Sequence, residues 1–187
     1  LRASASKGEF MEMWGMKIAA LEPSSEVRSN LRDILIETVA GGGSVSFMHP
    51  LSPEAADAFW ARALSTAGLG ERVVLGAWDD GVLAGTVTLL LDCPPNQPHR
   101  GEIAKLMVRP AHRGRGLAAA LMRAAEQAAV ERGRTLLVLD TAEEGGAAGL
   151  YEGLGYQRVG LIPDYALKPH GGLTGTLIYY KRIGAAA

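Results

Sequence analysis

The chain has 187 residues, enough for one domain with a sizeable core and too few for a clear second one. Hydrophobic residues make up 48% and charged residues 21%, which excludes a disordered or fibrous chain, and the net charge of −1 gives no overall field toward nucleic acid or an anionic membrane. No apolar run approaches the ~20 residues that span a bilayer, and the lone Cys93 excludes a disulfide within these residues and fits a reducing, cytoplasmic setting.

Residues 1–15 are rich in Ser, Ala and Met without a usable period, and read as a disordered or cloning-derived segment ahead of a domain at 16–183. The run 16–21 predicts a first strand. Ser24 or Ser25 then caps a helix with the apolar face Val27, Leu31, Ile34, Leu35, Thr38 and Val39, ended by Gly41-Gly42-Gly43. The following stretch through Met48 turns from flexible to apolar. Ser52-Pro53-Glu54 starts a second helix, with proline where no backbone donor is needed, and its pattern points Ala58, Phe59 and Leu64 inward until a stop near Gly68.

Strands are predicted at 72–78 and 82–91, joined by the hairpin signal Asp79-Asp80-Gly81. Cys93-Pro94-Pro95 stops the second of them, a plainer use for Cys93 than that of a nucleophile. A strand at 102–108 leads through an arginine-rich loop to a long Ala/Leu-rich helix at 118–132. The nearly continuous apolar run 134–140 reads as a strand buried on both faces. Thr141-Ala142-Glu143-Glu144 looks like a capping box for a short helix ending at Gly155, and strands at 156–161 and 177–182 close the chain. The order β-α-α-β-β-β-α-β-α-β-β implies a single α/β domain of the α+β type, one mixed twisted sheet with helices on its faces.

The loop reads Val108-Arg109-Pro110-Ala111-His112-Arg113-Gly114-Arg115-Gly116-Leu117-Ala118. Pro110 removes a strand donor, and Gly114 and Gly116 let the chain turn. The first turn of the helix then offers backbone N–H groups without intrahelical partners at the positive end of the helix dipole, a seat for phosphate to which Arg113 and Arg115 add charge. A glycine-rich turn with solvated arginines would show the same few residues, so the flanking sequence has to decide.

Arg113-x-x-Gly116-x-Ala118 resembles the acyl-CoA signature of the GNAT superfamily of N-acetyltransferases, and Leu150-Tyr151-Glu152-Gly153-Leu154-Gly155-Tyr156 resembles that family's late Leu-Tyr-Glu-x-x-Gly-aromatic segment. The resemblance spans 16–181. It is strongest to toxin-resistance members acting on small molecules, through Glu37-Thr38-Val39, Lys105-Leu106-Met107-Val108, Leu139-Asp140-Thr141, Pro163-x-Tyr165-Ala166 and Ile178-Tyr179-Tyr180-Lys181. Two features depart from the family: Glu144 stands where many members carry Asn, and Gly145-Gly146-Ala147-Ala148 is blander than its pattern. The resemblance implies a mostly antiparallel GNAT sheet with helices on both faces and acetyl-CoA as co-substrate. It implies that Arg113, Gly114, Arg115, Gly116, Leu117 and Ala118 wrap the pyrophosphate. It places the backbone of Leu106, Met107 and Val108 beside the thioester and pantetheine, with a strand bulge near Leu106-Met107.

Acetyl transfer to an amine needs a base for the amine, a donor to the carbonyl oxygen and a proton for the thiolate. Glu102 opens one strand and Asp140 ends the next, so as neighbours they would line one cleft, where like charge raises one carboxyl pKa. A solvated strand start and a strand end satisfied by the Thr141 turn are the plainer uses of the two. Tyr151 stays protonated at pH 7 and stands where the family faces the thioester sulfur; it is the candidate acid, against a merely packed tyrosine. The resemblance puts acceptor contacts near Phe47, Asp92, Asp164 and Tyr165. His49, His99, His112 and His170 lack metal-site spacing, and no basic stripe with aromatics suggests nucleic acid. The expected function is therefore acetyl transfer from acetyl-CoA directly to an amine or hydroxyl of a small molecule such as a toxin or antibiotic, with no metal, by a monomer or homodimer. A non-catalytic acyl-CoA sensor and a protein N-terminal or lysine acetyltransferase stay open.

Overall fold

Asp80 and Gly81 both take positive φ, 48° and 79°, so β3 (Arg72–Asp79) folds directly back on β4 (Val82–Leu90) in the two-residue turn that suits strand twist. In the computed structural model, which describes residues 9–13 and 15–184, this hairpin lies inside one eight-stranded sheet. Its other strands are β1 (Glu9–Met13), β2 (Met16–Ala20), β5 (Arg100–Val108), β6 (Leu136–Ala142), β7 (Gln157–Leu167) and β8 (Leu173–Arg182). The order is β1-β2-β3-β4-β5-β6-β8-β7, and every pairing is antiparallel except β5 with β6. The helices are α1 (Ser25–Ala40), α2 (Pro53–Gly68), α3 (Leu117–Val130) and α4 (Ala148–Gly153).

Strand alternation sends neighbouring residues to opposite faces. Val73, Leu75 and Ala77 of β3 join Leu121, Ala125 and Ala128 of α3 in one core, whereas Val74 and Leu83 join Leu31, Ile34, Leu35 and Val39 of α1 and Trp60 of α2 in the other. Helices therefore cover both faces, as the resemblance implies. Ser24 and Ser52 cap α1 and α2 by accepting from Val27 N at 3.0 Å and Ala55 N at 3.1 Å. Ser52→Ala is expected to lower stability by about 1 kcal/mol, read as a lower urea midpoint at unchanged slope.

Five expectations change. The backbone of Glu9–Met13 is a strand paired with β2, inside the segment read as structureless, whose residues 1–8 lie outside the described residues. The inward face of α2 is Ala56, Trp60, Ala63 and Leu64; Ala58 is exposed, because an alanine-rich helix marks its phase weakly. The strand β6 buries only Leu137 and Leu139, since it contributes nothing to the core under α1 and α2, and its other face is only partly buried. The capping box does not form: Thr141 and Ala142 stay in β6 paired with Leu177 and Thr176, and α4 begins only at Ala148 with no side-chain cap. The last two strands are longer than expected, 11 and 10 residues.

Candidate active site

Parallel pairing of β5 with β6 stops after Glu102 meets Val138, and beyond that point β6 pairs with β8 alone. The two strands part. On its other side β5 carries one extra residue: Thr88 of β4 sits opposite Ala104 and Thr86 opposite Met107, so Lys105 and Leu106 fall outside the register. Lys105 holds φ of +54°, the left-handed conformation that marks the bulge. The bulge lies at Lys105-Leu106, beside the expected Leu106-Met107. Gly85 makes it possible, since a Cβ there would lie 2.8 Å from the carbonyl oxygen of Met107. The opening is a cleft of about 690 Å³, walled by the loop at 41–46, residues 103–108, the end of β6 and Tyr151.

At the edge of this cleft the chain passes through a 3₁₀ turn, Pro110–His112, into α3. Gly114 and Gly116 hold φ of +73° and +77°, and nothing lies within 4 Å of where a Cβ would stand on either. Gly116 is the N-cap and offers no side chain, so the first turn of α3 faces open space with its donors uncapped. Arg113 and Ala118 line the cleft, as do Leu106, Met107 and Val108. Arg113 also donates from Nε to the Val108 carbonyl at 3.2 Å. Arg115 turns away from the cleft: it binds Asp79 at the β3–β4 turn, where His112 Nδ1 also lies 2.9 Å from the carboxylate. The Arg115 hydrogen bond, ahead of that from His112, holds the Asp79 carboxyl below its usual range. Gly114, Arg115, Gly116 and Leu117 thus shape and anchor the loop outside the lining, Leu117 as a core residue.

Tyr151 lines the cleft although the residue is only 6% exposed, edge-on to Tyr156 at 6.0 Å and tilted against Tyr179 at 5.8 Å. Burial, reinforced by the charge of Asp140, pushes its phenol up to about 12. Asp140 is exposed to the cleft, and its Oδ2 accepts from Thr176 Oγ1 at 3.0 Å. Glu102, expected beside it, does not line the cleft; it sits where the strands are still paired and its carboxylate is held by Arg100 Nη1 at 3.3 Å.

None of the four acceptor candidates lines the cleft, and Asp164 is exposed on β7 beside Tyr165. Phe47 packs edge-on against Phe59 at 5.2 Å, partly buried against the core under α1 and α2. Asp92 is exposed beyond the end of β4, and Tyr165 is 56% exposed on the edge strand β7. The cleft instead presents Ser46, Lys105 and the pair Lys168–Glu144, joined at 3.0 Å. Sequence reasoning missed Lys105 as a cleft side chain, because its place follows from the bulge in β5. Cys93 donates from Sγ to the Arg100 carbonyl at 3.3 Å and takes no part in the cleft. Among the described residues no group of three or more His, Cys, Asp or Glu side chains could hold a metal ion, and no helix is long and apolar enough to cross a membrane.

The family model for the acetyltransferase (GNAT) family matches residues 39–156. The fold resembles an N-acetyltransferase from Staphylococcus aureus Mu50, with a TM-score of 0.76 at 16% identity, covering 89% of this chain and 98% of that one. It also resembles yncA, a putative acetyltransferase from Salmonella typhimurium whose structure holds its cofactor acetyl-CoA, with a TM-score of 0.74 at 18% identity over 92% of this chain and 96% of that one. Among curated proteins, human N-acetyltransferase 8B is 39% identical over 80 residues, 42% of this chain and 35% of its own. The chain spans about a third of the length of the curated relatives it matches, 31% and 35% for the first two.

Proposed function

The chain belongs to the acetyltransferase (GNAT) family, and from that premise we propose that it moves the acetyl group of acetyl-CoA directly to an amine or hydroxyl of a small molecule. The observation that carries this reading is the parting of β5 from β6, with a bulge in one wall and the uncapped first turn of α3 at the edge. These residues fit acetyl-CoA: open backbone donors and Arg113 suit a diphosphate, and the bulged strand offers backbone unpaired with β4. When bound, the co-substrate supplies an activated acyl group and a thiolate leaving group.

The chain's own residues then divide the work. The backbone at Lys105-Leu106 would donate to the carbonyl oxygen as charge builds on it, a role that needs donors fixed in advance. Asp140 takes the proton of the incoming amine; its position in the cleft favours it over Glu102. Tyr151 keeps its proton at any working pH and donates a hydrogen bond to the leaving sulfur. We take the acceptor to be an amine-bearing toxin or antibiotic, on the resemblance of stretches such as Glu37-Thr38-Val39 and Leu139-Asp140-Thr141 to toxin-resistance members of the family.

Incubation with acetyl-CoA and a panel of small primary amines, followed by free thiol, is expected to show acceptor-dependent release. Binding of acetyl-CoA with no release would favour a sensor, and activity on peptides but not on free amines would favour a protein acetyltransferase. Arg113→Ala is expected to weaken acetyl-CoA about tenfold, or about 1.4 kcal/mol, in calorimetry.

A further inference from the structure

Lys105 and Ser46 are two of four non-glycine residues at positive φ among the described residues, at 54° and 71°. They meet across the cleft, where Lys105 Nζ donates to Ser46 Oγ at 3.2 Å. Backbone in this region is unfavourable for a side-chain-bearing residue and persists where surrounding structure imposes it, commonly at functional sites. Here one such residue sits on a strand bulge and the other on the loop between α1 and α2, and both lean on the same point. The ammonium also lies 5.8 Å over the Phe59 ring, which Phe47 meets edge-on.

The partners of Lys105 Nζ are thus a neutral hydroxyl and a ring face. Among the described residues no carboxylate lies within 4.0 Å of it, whereas the other cleft ammonium, Lys168, is paired with Glu144 at 3.0 Å. An ammonium has three donors, and one is used. Burial acts against its charge, while Asp140 and then Glu102 favour it from beyond ion-pair distance. A half-buried cation with free donors in a ligand cleft is completed by an anion.

We propose that Lys105 Nζ and Ser46 Oγ form an anion subsite on the acceptor side of the cleft, and that the acceptor is an amine that also carries a carboxylate, an amino acid or a compound of that class. This rests on the acetyl-transfer reading above. Asp140 on β6 faces the amine end and Lys105 on β5 faces the carboxylate end, so the two walls read opposite charges of one zwitterion. The transfer forms the bond from nitrogen to the acyl carbon and breaks the bond from that carbon to sulfur. Asp140 receives the protons that the ammonium loses on its way to the amide and passes them to solvent, Tyr151 donates a hydrogen bond to the departing thiolate, which takes one proton back from solvent, and the carboxylate on Lys105 is unchanged.

The test uses the free L-amino acids, each beside its C-terminal amide and its decarboxylated amine, as acceptors for the wild type, Lys105→Met and Ser46→Ala. The free acids are expected to lead their amides by tenfold or more in kcat/KM, mostly through KM. Lys105→Met is expected to erase that lead and Ser46→Ala to narrow it several-fold. Acetyl-CoA affinity, measured in parallel, reports whether the bulge survives each substitution. Equal turnover of acids and amides by the wild type, or a preference intact in Lys105→Met, overturns the subsite while leaving acetyl transfer standing. Should Lys105→Met not fold, the wild-type ratio and Ser46→Ala decide the question. Failure of the wild type to bind acetyl-CoA at all would instead remove the underlying reading.

Discussion

Tyr151→Phe is expected to lower kcat by about 10²-fold while leaving acetyl-CoA affinity within about twofold of wild type. The substitution removes one oxygen and keeps the ring, which holds its place against Tyr156 and Tyr179. The loss should therefore be chemical, not structural. With the phenol near 12 and a free thiol near ~8.5, full proton transfer from Tyr151 to the departing sulfur runs uphill. What the hydroxyl can give is a hydrogen bond that strengthens as negative charge gathers on sulfur, and such an interaction acts on the transition state more than on the ground state. The expected signature is a fall in kcat and kcat/KM together, with KM little changed. Thiol release measured across acceptor concentrations checks it. A kcat within about twofold of wild type would remove Tyr151 from the mechanism and leave it a core residue.

What could be read in advance was the part of the site made by local backbone chemistry. Gly114, Gly116 and the start of α3 announce themselves because positive φ and an uncapped helix start depend on few neighbours. Tyr151 was legible for a related reason, since its neighbours along the chain place it. The wall of the cleft that carries Lys105 was not. Lys105 faces the cleft because β5 gains one residue against β4, and a one-residue shift reverses which side chains face which way without any mark in the composition. Glu102 and Asp140 looked equivalent as ends of adjacent strands, yet the pairing of β5 with β6 ends at Glu102 and opens before Asp140. Thr141 has the residue type of a helix cap, but its pairing with Leu177 on β8 keeps it in the sheet. In each case a long-range pairing overrode a local preference.

Raising the pH from about 9 to about 12 is expected to unfold the protein in a single steep step that carries the ionisation of Tyr151, Tyr156 and Tyr179 with it. All three are buried beside one another in the core. Burial, then the charge of Asp140, raises Tyr151 to about 12; burial, then the charge of Glu126, raises Tyr156 further; burial, then the bond its hydroxyl donates to Glu152 at 3.0 Å, raises Tyr179. Each group binds its proton more tightly folded than unfolded. Their contribution is fully present below the ordinary phenol pKa of ~10 and is lost as pH climbs through the folded value, because the unfolded chain sheds protons that the folded one retains. For Tyr151 the difference between about 12 and the ordinary ~10 amounts to a few kcal/mol, a large share of a small domain's stability. In a Tyr165→Phe, Tyr180→Phe background, phenolate absorbance and near-ultraviolet circular dichroism, followed together, should move in one transition, and Tyr151→Phe should make the alkaline fall in stability shallower. Phenolate from these tyrosines growing smoothly from about pH 9 with the dichroism intact would mean that the rings are open to water, and the environment assigned to the hydroxyl of Tyr151 in the cleft would fall with it.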